Sequence, residues 1–327
     1  PHRPQAMSLS FFQCTITAAA FGVGLLLPLL LGLSKIYNRC SYHPPLPGHR
    51  ACQDVHVFNL QHGTTEPMYN DDAHGRAQLI LELIDCMAAS FCGTTTKEPE
   101  RFMNWALGSR LSMAPVRKKT SDNHALLQQR LVALRWVMGY VVHETLSQGH
   151  GSILYIRAPS GEIGAASVLQ FKDTNRHGYV SLAMATVTSY WLVVTTLGLP
   201  PWMAESNWPT VGVQYRLDHG ALFLKDFHAR WCNGLHLYTA IMATSPGYQG
   251  RGYCGQIMKT TVALGRELEL DVYLETGGER NQKIYQKYGY VLVEEKELVL
   301  EDDIEPNLVY SAMLKKHQKR GEGWKKE

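Results

Sequence analysis

Three glycines in the stretch GYQGRGYCGQIM, Gly247 to Met258, fall at Gly250, Gly252 and Gly255 in the spacing G-x-G-x-x-G. Glu275 follows about twenty residues on, the offset at which a dinucleotide-binding fold places its ribose-binding acid. A strand, a glycine turn and a helix start together make an anion site. Backbone N–H groups converge there, the helix dipole favours negative charge, and absent side chains let a phosphate approach. Binding of a pyrophosphate is the primary inference, set against the plainer reading that the glycines only serve turns.

Three observations argue against a nicotinamide dinucleotide as the owner of that pyrophosphate. Ser245 to Gln249 intervene between the strand and the first glycine, whereas a dinucleotide fingerprint has its glycine almost at the strand end. Too few residues remain after the loop to complete a doubly wound sheet with two mononucleotide halves. Another element also follows at once: Asn281 and Tyr285 are spaced to share one face of a short helix.

With these residues in view, the chain resembles the GNAT acyl-CoA N-acetyltransferases. Their acetyl-CoA loop reads [Q/R]-x-x-G-x-[G/A] after the fourth strand. Gln249-Gly250-Arg251-Gly252-Tyr253-Cys254 follows it, except that Cys254 replaces Gly or Ala before Gly255. The branch that includes puromycin-type acetyltransferases continues with Leu-Glu-Thr, Asn, Tyr and Gly-aromatic. Here these are Leu274-Glu275-Thr276, Asn281, Tyr285 and Gly289-Tyr290. The match covers about Leu235 to Glu295, with weaker resemblance back to about Asp54. Gly178 to Arg230 have no counterpart.

The resemblance implies an α/β (α+β) GNAT fold: a mixed, mostly antiparallel central sheet, splayed between its fourth and fifth strands at a bulge and flanked by helices. It implies acetyl-CoA as cosubstrate and a small-molecule primary amine as acceptor. Met242 and Thr244 would offer backbone to the pantetheine. The amides from Gln249 to Gly255 would hold the pyrophosphate, and Asn281 would bond the cosubstrate, its alternative being the helix N-cap. Tyr285 would protonate the thiolate, a role suited to a phenol that keeps its proton at neutral pH; its alternative is packing on the next strand. Glu275 and His236 are the candidate bases. Cys254 has no His partner close in sequence, and direct attack by an amine needs no acyl-enzyme. A catalytically silent protein of this fold that binds CoA, and a nicotinamide oxidoreductase, stay open as alternatives.

The elements that must position these residues are readable from periodicity. Asp54 to Leu60 reads as a first strand. Asn70-Asp71-Asp72 offer caps for a helix from about Ala73 to Phe91, and a second helix runs from about Asn123 to Leu146. SILYIRAPSGEIGAASVLQF reads as a hairpin around Pro-Ser-Gly-Glu. The spacing then predicts a strand at Leu235 to Thr244, a helix at Gln256 to Leu268 and a strand at Val272 to Glu275. A helix at Asn281 to Lys287 follows, then strands at Tyr290 to Leu298 and Leu308 to Lys315. Tyr190, Trp191, Trp202, Trp208, Tyr215 and Trp231 fall in the unmatched segment, where they would either cover an aromatic acceptor site or, for most of them, fill core.

Composition bounds the rest. In 327 residues, 45% are hydrophobic and 19% charged, as in an ordinary folded chain, and a formal net charge of +3 with no basic run among aromatics argues against nucleic acid. The seven cysteines form no C-x-x-C and the fourteen histidines no H-E-x-x-H, so no metal site is expected and the thiols suit a reducing compartment. TITAAAFGVGLLLPLLLGL, residues 15–33, is uncharged and has the length of a bilayer-crossing helix. Lys35, Arg39 and Arg50 follow it, which predicts a single-pass anchor in the lipid bilayer with the rest facing the cytosol. The expected organisation is a tail 1–14, the anchor 15–33, a linker 34–52, one domain 53–316 with an insertion at about 178–230, and a basic tail 317–327. Val180 to Leu199, also uncharged, reads as buried core, with a second membrane segment as its alternative.

Overall fold

The computed structural model describes residues 54–59, 63–64, 73–93, 100–107, 122–147, 151–173, 179–204, 210–298 and 308–317. The expected anchor 15–33, the linker, the Asn70-Asp71-Asp72 caps and nearly all of the basic tail lie outside them. Among the described residues no helix is long and apolar enough to cross a membrane.

The sheet grows from the hairpin. β3 (Gly151–Arg157) and β4 (Ile163–Asp173) pair antiparallel, with Ile153 opposite Val168. Both strands are buried along most of their length, because helices cover both faces and near-continuous apolar runs are what such strands need. β1 (His56–Asn59) adds to β3, and the two-residue β2 (Gly63–Thr64) folds back on β1. On the other side β5 (Leu235–Thr244) lies antiparallel to β4, and β6 (Val272–Gly277) parallel to β5. β7 (Val291–Leu298) and β8 (Leu308–Lys315) complete the order β2-β1-β3-β4-β5-β6-β8-β7. β5 and β6 are thus the fourth and fifth strands of the expected fold, displaced by one number by β2, and they form the one parallel pair in this sheet.

Side-chain parity assigns the faces. Leu154, Ala165, Leu169, Leu237, Val272 and Leu274 pack with α7 (Tyr253–Glu267) and with Tyr285 of α8 (Glu279–Gln286). Ile153, Ala166, Val168, Ile241 and Ala243 face the opposite layer, built from α1 (Ala73–Cys92), α2 (Arg101–Ala106), α3 (Asp122–Ser147) and α4 (Tyr179–Leu197). α5 (Pro201–Ala204) and α6 (Thr210–Trp231) follow, and α6 adds a cluster in which Phe227 and Cys232 meet Tyr273, Ala312 and Leu314.

The described residues of the unmatched segment are therefore largely helical, and the rings expected there divide between core and surface. Trp202 is wholly buried with its ring 5.1 Å from that of Trp136, Tyr190 lies 5.6 Å from the same ring, and Ser189 and Val193 of α4 are fully buried. Trp191 and Trp231 are partly exposed, and Trp208 and the side chain of Tyr215 lie outside the described residues. Helix starts differ from the sequence reading: α7 begins at Tyr253 and α8 at Glu279, each behind a glycine in a positive-φ conformation that periodicity does not register.

α1 ends at Cys92, and Gly93 with φ +80° turns the chain away. Its last carbonyls are held by Arg130 of α3, which is wholly buried: Nε donates to the Cys92 carbonyl at 2.8 Å and Nη1 to Asn104 Oδ1 at 3.0 Å. Arg130→Met keeps volume but orphans those oxygens, and should lower stability by roughly 3 kcal/mol in a denaturant titration.

Candidate active site

β5 and β6 pair at two positions only, Leu237 with Val272 and Tyr238 with Tyr273, before they part. The cause lies one residue on. In the β4–β5 ladder Val168 faces Ile241 and Leu169 faces Thr239, so Ala240 is an extra residue, a bulge. It reverses the faces of β5: Leu237 points to the α7 side, whereas Ile241 and Ala243, of the same parity, point to the other. Past the bulge β5 has an edge without a neighbouring strand. The Thr244 N–H on that edge donates to Ser90 Oγ of α1 at 2.9 Å, and Met242, two residues before, presents its backbone the same way.

The glycine loop begins where that edge ends. Ser245 leads into a single 3-10 turn, Pro246–Tyr248, then Gln249, whose Nε2 donates to the Thr244 carbonyl at 3.4 Å. Gly250 and Gly252 have φ of +81° and +82°, values that L side chains rarely adopt. Gly252 is the N-cap of α7, so no side chain caps the helix, and its first turn carries no acidic residue. The leading N–H groups of a long helix are thereby left for an anion. Arg251 stands beside them, its guanidinium over the Tyr248 ring at 5.2 Å. The Tyr248 hydroxyl meets Ser160 Oγ and Glu162 Oε2, both at 2.6 Å, which ties the loop to the β3–β4 turn.

Tyr253 packs over Gly164, where a Cβ would collide with its ring, and Gly255 is needed for a different reason: a Cβ there would meet the Tyr288 hydroxyl. Cys254 sits half-buried between them, and burial pushes its thiol up to about 11. It stays protonated at neutral pH, as a bystander should.

Tyr285 and Asn281 share a face of α8. Asn281 is not the N-cap, a place taken by Gly278; its Nδ2 donates to the Gly277 carbonyl at 3.2 Å, at the end of β6. Tyr285 is buried on the α7 side. Burial, with Cys254, Tyr290 and Glu100 near, raises its phenol well above the usual range, against a smaller opposite effect from the Thr276 hydroxyl. It is a neutral donor at any physiological pH.

Glu275 lies on the other face, as its parity with Tyr273 requires. Burial, outweighing the phenols of Tyr238 and Tyr273 that favour the anion, pushes its carboxyl up to about 7. His228 of α6 approaches it, Nδ1 to Oε1 3.8 Å. His236 is buried on the same face. Its Nδ1 lies 2.9 Å from the Gly234 carbonyl, its Nε2 meets His228 Nε2, and burial lowers its pKa. The sheet therefore separates the predicted acid from both predicted bases, with Glu275 just past the last paired position of β5 and β6.

Sequence reasoning missed Ser90, His228, Tyr238, Tyr273 and Tyr288. Only Tyr238 and Tyr273 carried a signal, as polar-tipped rings alternating with Leu237 and Leu274 on adjoining strands. The other three reach the site from helix and turn positions that no local spacing connects to it.

No protein-family model matches the chain, and no curated protein matches it. Among solved structures it is similar to histone acetyltransferase HPA2 and related acetyltransferase from Corynebacterium glutamicum, at 17% identity over 74% of this chain and 93% of that one, with a TM-score of 0.40. It is similar to Drosophila melanogaster polyamine N-acetyltransferase at 14% identity, over 80% of this chain and all of the other, TM-score 0.44. For arylalkylamine N-acetyltransferase 2 from Aedes aegypti the values are 10%, 76%, 97% and 0.42.

The loop geometry separates two glycines. Gly252→Ala forces a left-handed φ on a side chain and should cost about 1–2 kcal/mol in thermal unfolding. Gly247→Ala, with open space around its Cβ and no positive φ, should stay within about 0.5 kcal/mol of the parent.

Proposed function

We propose that the chain is an acetyl-CoA-dependent N-acetyltransferase of the GNAT superfamily that acetylates a small primary amine by direct attack. One observation carries this reading: a buried neutral phenol and a buried carboxylate lie on opposite faces of the sheet where β5 and β6 part, above an uncapped helix start. Gly250 to Gly255 hold the pyrophosphate on the amides opening α7, with Arg251 adding charge. The open edge of β5 at Met242 and Thr244 pairs with the pantetheine, Ser90 yielding the Thr244 amide, and Asn281 borders the same cleft.

Glu275 accepts the ammonium proton, directly or through one water, on the face covered by α6. The freed amine forms its C–N bond at the thioester carbonyl, a β5 amide stabilises the oxyanion, and Tyr285 gives its proton to sulfur as the C–S bond breaks. The second proton of the attacking nitrogen leaves through water to restore the tyrosine, so that one proton in all is released through Glu275. His236, with one ring nitrogen on Gly234 and the other on His228, has no part in this scheme. The described rings around the acceptor face, Phe223 and Phe227 of α6 with Tyr238 and Tyr273, suit an amine with an apolar or aromatic body.

The test is CoA release by the full chain in detergent over aliphatic diamines, arylalkylamines and aminonucleosides. Tyr285→Phe should lower kcat about a hundredfold without weakening acetyl-CoA binding. An unchanged kcat would remove Tyr285 from the chemistry. Acetyl-CoA binding with no amine turned over would point to a silent CoA-binding protein, and preference for NAD(H) in a thermal-shift comparison would sink the whole reading.

A further inference from the structure

His228, Cys232 and His236 are four residues apart in succession: His228 lies in the last turn of α6, Cys232 directly follows the helix with its N–H donating to the His228 carbonyl at 3.0 Å, and His236 follows the Gly234 turn onto β5. One donor atom from each lies within 4.8 Å of the other two. The imidazoles meet through their Nε2 atoms, with ring centroids 4.5 Å apart.

The outer ring nitrogens show what the inner ones carry. His236 Nδ1 lies 2.9 Å from the Gly234 carbonyl, which can only accept, so the proton of a neutral ring sits there and Nε2 presents a lone pair. His228 Nδ1 lies 3.8 Å from Glu275 Oε1, and its Nε2 meets the His236 lone pair, where either a proton on His228 or a cation can sit. Histidines that ligate a metal are held in this way, one nitrogen inward and the other donating to a carbonyl or carboxylate.

Glu275 supplies an independent observation. Its side chain is 3% exposed, and Oε1 has no hydrogen-bond partner among the described residues. The phenols of Tyr238 and Tyr273 and the charge of Lys172 favour its anion, but burial outweighs them, so a cation closer at hand would stabilise it. A divalent ion bound by one thiolate and two neutral imidazoles has a net charge of +1, and the carboxylate beside it brings the site to zero.

We propose that His228 Nε2, Cys232 Sγ and His236 Nε2 bind one borderline-soft divalent transition-metal ion, zinc in the first instance, with water as fourth ligand. On binding, the Cys232 thiol releases its proton to solvent and sulfur gives its electron pair to the metal. The rings part slightly to admit the ion. The site ties α6 to β5 and holds Glu275 through His228. It stands on these side chains alone and does not depend on acetyl transfer.

The test uses the full chain, purified in detergent without chelators from zinc-supplemented medium, with bound metal measured by mass spectrometry. About one zinc per chain is expected. Replacement by cobalt should give the near-ultraviolet thiolate-to-cobalt charge-transfer band. Cys232→Asp should keep metal but lose the band, and Cys254→Ser should keep both, which separates loss of a ligand from failure to fold. Zinc that stays far below stoichiometry on titration, or a cobalt complex without the thiolate band, would overturn the site and leave a hydrogen-bonded His-His-Glu cluster in its place.

Discussion

Two strands that pair for two residues and then separate govern this molecule. Had β6 followed β5 to Thr244, every backbone group of that strand would be spent inside the sheet. The extra residue at Ala240 bends β5 and exchanges its faces, so that an edge opens in the middle of an eight-stranded sheet. A sheet edge is usually blunted or covered. Here Ser90 of α1 meets one donor on it, and the glycine loop closes its end. The hairpin turn, α7, α8 and α6 are all placed around that opening.

The loop takes its shape from backbone torsion more than from contacts. Its ties to Ser160 and Glu162 are exposed and each contributes little in water. Gly250 and Gly252 instead admit left-handed conformations that other residues resist, which aims the first amides of α7 before any ligand arrives. Such preorganisation lowers the cost of ordering on binding.

Much of this was legible in the sequence where the controlling physics is local. The hairpin, the strand before the glycines, the Leu308–Lys315 strand and the Asn281/Tyr285 face follow from period and turn chemistry. What could not be read depends on register or on distant packing. The bulge at Ala240 leaves no mark in LHLYTAIMAT, yet it decides which side chains share a face. The tryptophans expected to divide between core and acceptor site do divide: Trp202 packs against Trp136 in the core, while Trp191 and Trp231 are exposed, and nothing in their local spacing tells the two outcomes apart. The expectation of no metal rested on absent C-x-x-C and H-E-x-x-H spacings. The proposed site of His228, Cys232 and His236 crosses a helix-to-strand turn, where neither pattern applies.

The sheet also acts as an insulator. Thr276 and Tyr285 lie on one face and Tyr273 and Glu275 on the other, so no hydrogen-bond chain along β6 links phenol to carboxylate without crossing backbone. In the proposed reaction, the first proton taken from the amine and the proton given to sulfur are therefore handled on opposite faces of the sheet. On that scheme Glu275 must shed a proton and Tyr285 regain one on opposite sides of the sheet before the next turnover.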